Sequence, residues 1–233
     1  MTTLFVLVRK ELAAALLSPV AWTVAAVFLL VLGYTFALTL FATKVANLNY
    51  IFHQMYVLSV LITPVLTMRT FAEERRHDTL ELLLTAPVAD VWIVLAKFIA
   101  TWLVMLGIYA LSLAYPIVLA WLGEPDWGPI VTGYATLTLL AALLVAVGVL
   151  ASSLTENQVI AAALSLGLFL MLWFADSVSP LLPLPLQPLA VNLSLIGHFR
   201  PMVTGSVFLS DAMYFVSLAM VALWLASRRL ADR

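Results

Sequence analysis

Long runs of this chain carry no formal charge, six of them free of the proline cluster that marks residues 179–201, and no other feature constrains the fold as strongly. A helix needs about 20 apolar residues to cross the hydrocarbon core of a bilayer, and its backbone must hydrogen-bond to itself there. The runs lie between Glu11 and Lys44, Lys44 and Arg69, Lys97 and Glu124, Asp126 and Glu156, Glu156 and Asp176, and Asp211 and Arg228. They predict spans over residues 20–42, 54–69, 91–120, 130–152, 157–176 and 211–227, the third opening before Lys97 if that lysine snorkels or faces protein. The runs are continuous and do not alternate with period two, which disfavours a barrel. Composition agrees: 64% hydrophobic and 10% charged residues leave too little polar surface to coat a soluble globule. The net charge of −1 gives no basic character for nucleic acid, and zero cysteines exclude disulfides and thiolate metal sites. The expected fold class is therefore all-α integral membrane, a single six-helix domain over residues 1–233.

Orientation follows from lysine and arginine. With the N-terminus in the cytoplasm, Arg9, Lys10, Arg69, Arg75, Arg76, Lys97, Arg228, Arg229 and Arg233 lie inside, and only Lys44 and Arg200 outside. An even number of spans returns the C-terminus to the cytoplasm. Trp22, Trp92 and Trp224 then fall near the inner interface, and Trp121, Trp127 and Trp173 near the outer one. The basic pair Arg9-Lys10 follows a short apolar run instead of preceding a long one, which is not the pattern of a cleavable signal peptide.

Two segments do not read as spans. Residues 2–17 place Arg9, Lys10 and Glu11 between apolar residues, and Ser18-Pro19 breaks them from the first span; an interfacial helix is expected. Residues 179–201 hold Pro180, Pro183, Pro185 and Pro188, which forbid a regular spanning helix. Their apolar content predicts an external, partly buried, re-entrant or cap-like segment, because irregular backbone at membrane depth needs protein around it.

The chain's charges concentrate in an island, Arg69 to Glu81. Thr70-Phe-Ala-Glu73 fits a capping box; alternatively the second span simply runs on as a solvated helix end. Asp78 then opens a short helix that Pro87 ends, and Asp90 is suited to cap the third span. A loop that only sets topology needs charge but not Leu80, Leu82, Leu83 and Leu84. Those leucines suit the bilayer surface or a groove on a partner.

The stretch TMRTFAEERRHDTLELLLTAPVADVWIVLAKFIA resembles the signature of type-2 ABC exporter permeases, near the gliding-motility and nitrous-oxide-reductase-maturation permeases. Met68, Arg69, Ala72, Glu73, Glu74, Arg75, Thr79, Glu81, Leu83, Leu84, Thr85, Pro87, Val88 and Lys97 carry the likeness. Asp78 and Ala96 depart from it, standing where the family usually has glycine. SSLTENQVIAAALS resembles the family's fourth-to-fifth-span turn. The C-terminal block resembles the family's through Ser194, His198, Phe199, Gly205, Asp211 and Tyr214. The resemblance implies that residues 70–87 form a coupling helix that docks on a separate ATP-hydrolysing subunit, with Glu73, Glu74, Arg75, Arg76, Thr79, Glu81, Leu83, Leu84 and Pro87 at the contact. It also implies two ATPase copies that hold ATP and magnesium, a second permease protomer in a homo- or heterodimer, and a bacterial inner membrane. The residues agree on one point: no lysine follows a glycine, so no phosphate-binding G-x-x-x-x-G-K-[ST] loop is present, and this chain is expected to hold no cofactor of its own.

Other polar residues offer little chemistry. His53, His77 and His198 are scattered, and two histidines without further ligands make a poor metal site; His198 is expected to satisfy a backbone carbonyl. Asp176 and Asp211 bracket the external segment, so Asp176, His198 and Asp211 form a candidate cap or gate, with Asp211 also suited to cap the sixth span. Thr155-x-x-Gln158 can cap the fifth span, and Ala163-x-x-x-Gly167 is a small-residue pair that permits close helix contact. No catalytic set clusters and the spans carry almost no acid or base, so no enzyme activity is expected in this chain. The function expected is a permease subunit that turns a partner's ATP hydrolysis into export or conformational work. The alternatives are a mechanical transmitter working a periplasmic partner without transport, or a carrier independent of ATP.

Overall fold

The computed structural model describes residues 2–43, 48–76 and 89–231. Every element is helical: α1 (Thr2–Leu17), α2 (Pro19–Thr43), α3 (Asn49–Thr67), α4 (Ala72–Arg76), α5 (Asp90–Ser112), α6 (Ala114–Leu122), α7 (Trp127–Leu154), α8 (Gln158–Val178), a 3-10 turn (Ser179–Leu181), α9 (Gln187–Leu193), α10 (Leu195–Val203) and α11 (Leu209–Ala231). Among the described residues, six stretches are long and apolar enough to cross a membrane: Pro19–Ala42, Asn49–Arg76, Asp90–Leu122, Trp127–Leu154, Gln158–Leu181 and Leu209–Ala231. The chain is thus a multi-pass, all-helical membrane-spanning protein. One end of the bundle, the charged end, carries α1, α4 and the start of α5; the other carries the cap built from α9 and α10.

The break after α1 is local chemistry. The Ser18 hydroxyl accepts a hydrogen bond from Val20 N at 3.4 Å, and Pro19 occupies the first position of α2, where its missing N–H costs nothing. Trp22 Nε1 donates back to Leu16 O at 2.8 Å and pins the corner. From there α1 turns away and packs along α5.

The core is α7. It packs against α3, α5, α8, α10 and α11 and is apolar on every side, with Leu137, Leu140, Ala141, Leu143, Leu144, Val145, Ala146 and Val149 all buried. Its glycines let α3 approach. A methyl group on Gly133 would lie 2.6 Å from the Phe52 ring, and one on Gly148 would overlap the Thr67 side chain. The Ala163–Gly167 pair, by contrast, lies on an exposed face of α8, and a methyl on Gly167 would meet nothing within 4 Å.

Polar groups inside the spans are satisfied along the backbone. On α3, Ser59, Thr63 and Thr67 donate to the carbonyls of Met55, Ser59 and Thr63 at 2.6, 2.6 and 3.0 Å. Pro116 cannot donate to the Ser112 carbonyl, so the third span breaks between α5 and α6. The Tyr134 hydroxyl of α7 donates to that carbonyl at 3.0 Å and so replaces the missing bond.

Candidate functional site

The charged island starts where α3 unwinds at Met68. The backbone N–H groups of Phe71 and Ala72 both donate to Ser152 Oγ of α7 at 3.1 Å, and Ser152 Oγ donates to Met68 O at 3.2 Å. One serine on the central helix therefore caps the start of α4. Thr70 does not do so: its hydroxyl donates to Thr67 O at 2.8 Å, and no reciprocal Thr70–Glu73 box forms. Local sequence spacing was compatible with the box, but a side chain already buried on α7 reaches both donors at once.

α4 sorts the candidate residues by face. Ala72 and Arg75 turn inward and are buried, the latter 6% exposed, against α7 and α8. Glu73 and Glu74 are half-buried, and Arg76 is exposed. Of the four, only Arg76 is open to a partner, and Arg75 lies on the packed side instead of at a rim. Thr79, Glu81, Leu83, Leu84 and Pro87, together with His77, lie outside the described residues.

The structure adds a group that the candidate list lacked. Lys97, about two turns into α5, is 2% exposed. A buried ammonium is costly unless paired, and here it is paired twice. Its Nζ lies 2.7 Å from Glu74 Oε1 at the end of the second span and 3.2 Å from Glu11 Oε2 on α1. It also sits 5.2 Å from the centre of the Phe71 ring, in cation–π range. One point charge thus joins the interfacial helix, the root of the charged island and the third span. A lone lysine in an otherwise apolar span was the available signal. What the sequence could not supply was that Glu11, 86 residues away, is its partner.

At the cap end, Ser194 Oγ accepts from Gly197 N at 3.2 Å and starts α10. That sets His198 beside α11. His198 Nδ1 lies 2.7 Å from Asp211 Oδ1 and Nε2 lies 3.1 Å from Asn192 O. The carbonyl can only accept, so Nε2 is the donor in that contact. Asp211 does not cap α11; it lies in its first turn and holds His198. The imidazole stacks on Tyr214 at 4.1 Å, and the Tyr214 hydroxyl donates to Leu193 O at 2.7 Å. Phe199 and Trp173 clamp the Tyr56 ring at 4.8 and 5.1 Å, which ties the cap to α3 and α8. Gly205, with φ of +96°, makes the turn into α11 that a side chain would strain. Asp176 is exposed and stands apart from the His198–Asp211 pair.

Two further expected caps fall differently. Asn157, not Thr155 with Gln158, caps α8 by accepting from Val159 N and Ile160 N at 2.9 and 3.4 Å. Ala89 holds the capping position of α5, with Asp90 in its first turn, where a carboxylate favours the helix dipole.

A family model described as ABC-2 family transporter protein matches residues 41–206, which take in α3 to α10 and therefore the charged island, Lys97 and most of the cap. Comparison with curated proteins gave no match.

Proposed function

The chain belongs to the ABC-2 family of transporter proteins, and from that premise we propose that it is the permease subunit on which a separate ATPase acts. The convergence of Glu11, Glu74 and Lys97 carries the reading. A push on the segment that follows α4 reaches α1 and α5 through one buried cation, so three elements at the charged end move together. Rigid helices that shift as packed bodies are the usual form of such a switch. The excess of lysine and arginine at that end supports a cytoplasmic side for it; the membrane proposed is a bacterial inner membrane, with the ATPase and its ATP and magnesium on that side.

Two ATPase copies and a second permease protomer complete the assembly. Support for the second protomer is the bareness of α2 and α8: only 17% of the most apolar stretch of each is buried within the chain, against 72% for α7. Export is the work proposed. The exposed cap leucines Leu181 and Leu184, at 83% and 81% exposure, favour one second reading, in which the same motion drives an extracytoplasmic partner and moves no solute.

The test is purification in mild detergent followed by ATPase assay. A nucleotide-hydrolysing companion should co-purify, and Arg76→Glu combined with Leu83→Ala and Leu84→Ala should release it while the bundle stays monodisperse. Co-purification and ATPase stimulation unchanged in that variant would refute the docking role.

A further inference from the structure

A cavity of about 400 Å³ opens between α1, α2, α3 and α5 at the charged end, within the size range of small-ligand sites. Its lining changes character along its length. Glu11, Arg69, Glu73, Glu74 and Lys97 are its charged lining residues, and Val20, Ala21, Leu66 and Val104 are among its apolar ones. Lys97 and Val104 are seven residues apart on one helix, so the cavity runs about 10 Å from a charged mouth into an apolar slot. Ala14 and Ala15 of α1 also line it.

The charges in the mouth are not all used. Lys97 is taken by Glu11 and Glu74. Arg69 and Glu73 form no ion pair with each other or with any described residue, and the buried Arg69 Nε has no hydrogen-bond partner. One cation and one anion therefore face the same space uncompensated. A purely anionic ligand would satisfy Arg69 but meet Glu73. A purely cationic one would leave Arg69 bare. A ligand with both a phosphate and an amine satisfies each, with Arg69 donating to the phosphate and Glu73 accepting from the ammonium.

We propose that this cavity binds the headgroup of a zwitterionic, primary-amine phospholipid of the phosphatidylethanolamine type. The apolar slot decides for a lipid over a free amino-phosphate, because it continues from the headgroup site toward the hydrocarbon, where acyl chains leave between α2 and α5. The bound lipid wedges between the interfacial helix and the spans beside Lys97. This site is independent of the ATPase reading, since the lipid is held by this chain alone.

Native mass spectrometry of the full chain, with whatever subunits accompany it, from nanodiscs of mixed phosphatidylethanolamine, phosphatidylcholine and phosphatidylglycerol tests the proposal. The ethanolamine lipid should be retained about tenfold over the other two, the size of one charge-assisted hydrogen bond. Glu73→Gln should abolish the preference over phosphatidylcholine, whose nitrogen has no N–H, and Arg69→Gln should weaken retention of all three. Val104→Phe, which fills the slot and leaves the charges in place, should expel the lipid with elution unchanged. Equal retention of the three lipids overturns the proposal. So does unaltered preference in Glu73→Gln, or binding of soluble phosphoethanolamine without any lipid retained, which would make the site one for a free metabolite.

Discussion

The two ends of the bundle each hold a cluster of close polar contacts, but they are built on different scales. At the cap, His198 and Asp211 are 13 residues apart, and their neighbours Asn192, Leu193 and Tyr214 come from the same stretch of chain. At the charged end, Lys97 reaches Glu74 across 23 residues and Glu11 across 86. The cap is closed by short-range contacts onto the start of α11, and it packs on α7 and α8 as well as on the Tyr56 ring. The charged end is a junction of separate helices that share one cation. A local unit keeps its shape when the helices around it move; a shared junction transmits the movement. That contrast explains why the charged end suits an input and the cap a rigid cover.

The contrast is broken most directly at Lys97. Lys97→Met removes the buried cation that Glu11 and Glu74 share and should destabilise the protein by roughly 3 kcal/mol, the usual cost of removing one member of a buried pair; thermal unfolding in detergent reads it. At the cap, Asp211→Asn keeps the shape and one hydrogen bond but removes the charge, and should cost about 2 kcal/mol by the same assay. Tyr214→Phe removes only the bond to Leu193 O and should cost about 1 kcal/mol. The smallest effect is the sharpest discriminator. Glu11→Gln and Glu74→Gln should be non-additive by about 0.5 kcal/mol or more because they share Lys97, whereas Glu11→Gln and Asp211→Asn should add within about 0.5 kcal/mol. Additivity at both ends would remove the distinction.

The sequence made the spans legible because a charge inside hydrocarbon is expensive enough to mark every boundary. Boundaries slipped where polar residues continue a helix without charge or past it. The second span begins at Asn49, not near residue 54, and the sixth runs to Ala231 through Arg228, whose guanidinium lies 5.4 Å from the Trp224 ring. The four prolines did interrupt the external segment, yet the segment contains two short helices, since Pro188 sits in the first turn of α9, where proline is tolerated. Capping patterns transferred poorly. Ser152 caps α4 from about 80 residues away, and no local spacing rule encodes that. The small-residue contacts followed the same logic: Gly133 and Gly148 matter because Phe52 and Thr67 oppose them, which only the packing of α3 on α7 decides. At the candidate site, the acidic and basic residues were visible as a cluster, but their division into a buried Arg75, a bound Glu74 and an open Arg76 depends on which side of α4 meets α7 and α8.

The chain has no cysteine, so single thiols report position without interference. Arg76→Cys and Leu184→Cys, each carrying a short photocrosslinker in intact cells, test the central claim that an ATPase grips the charged end. The account predicts a crosslink from position 76 to a nucleotide-binding subunit and none to that subunit from position 184. A crosslink to it from the cap, or loss-free function with no nucleotide-binding subunit reached from position 76, would contradict it.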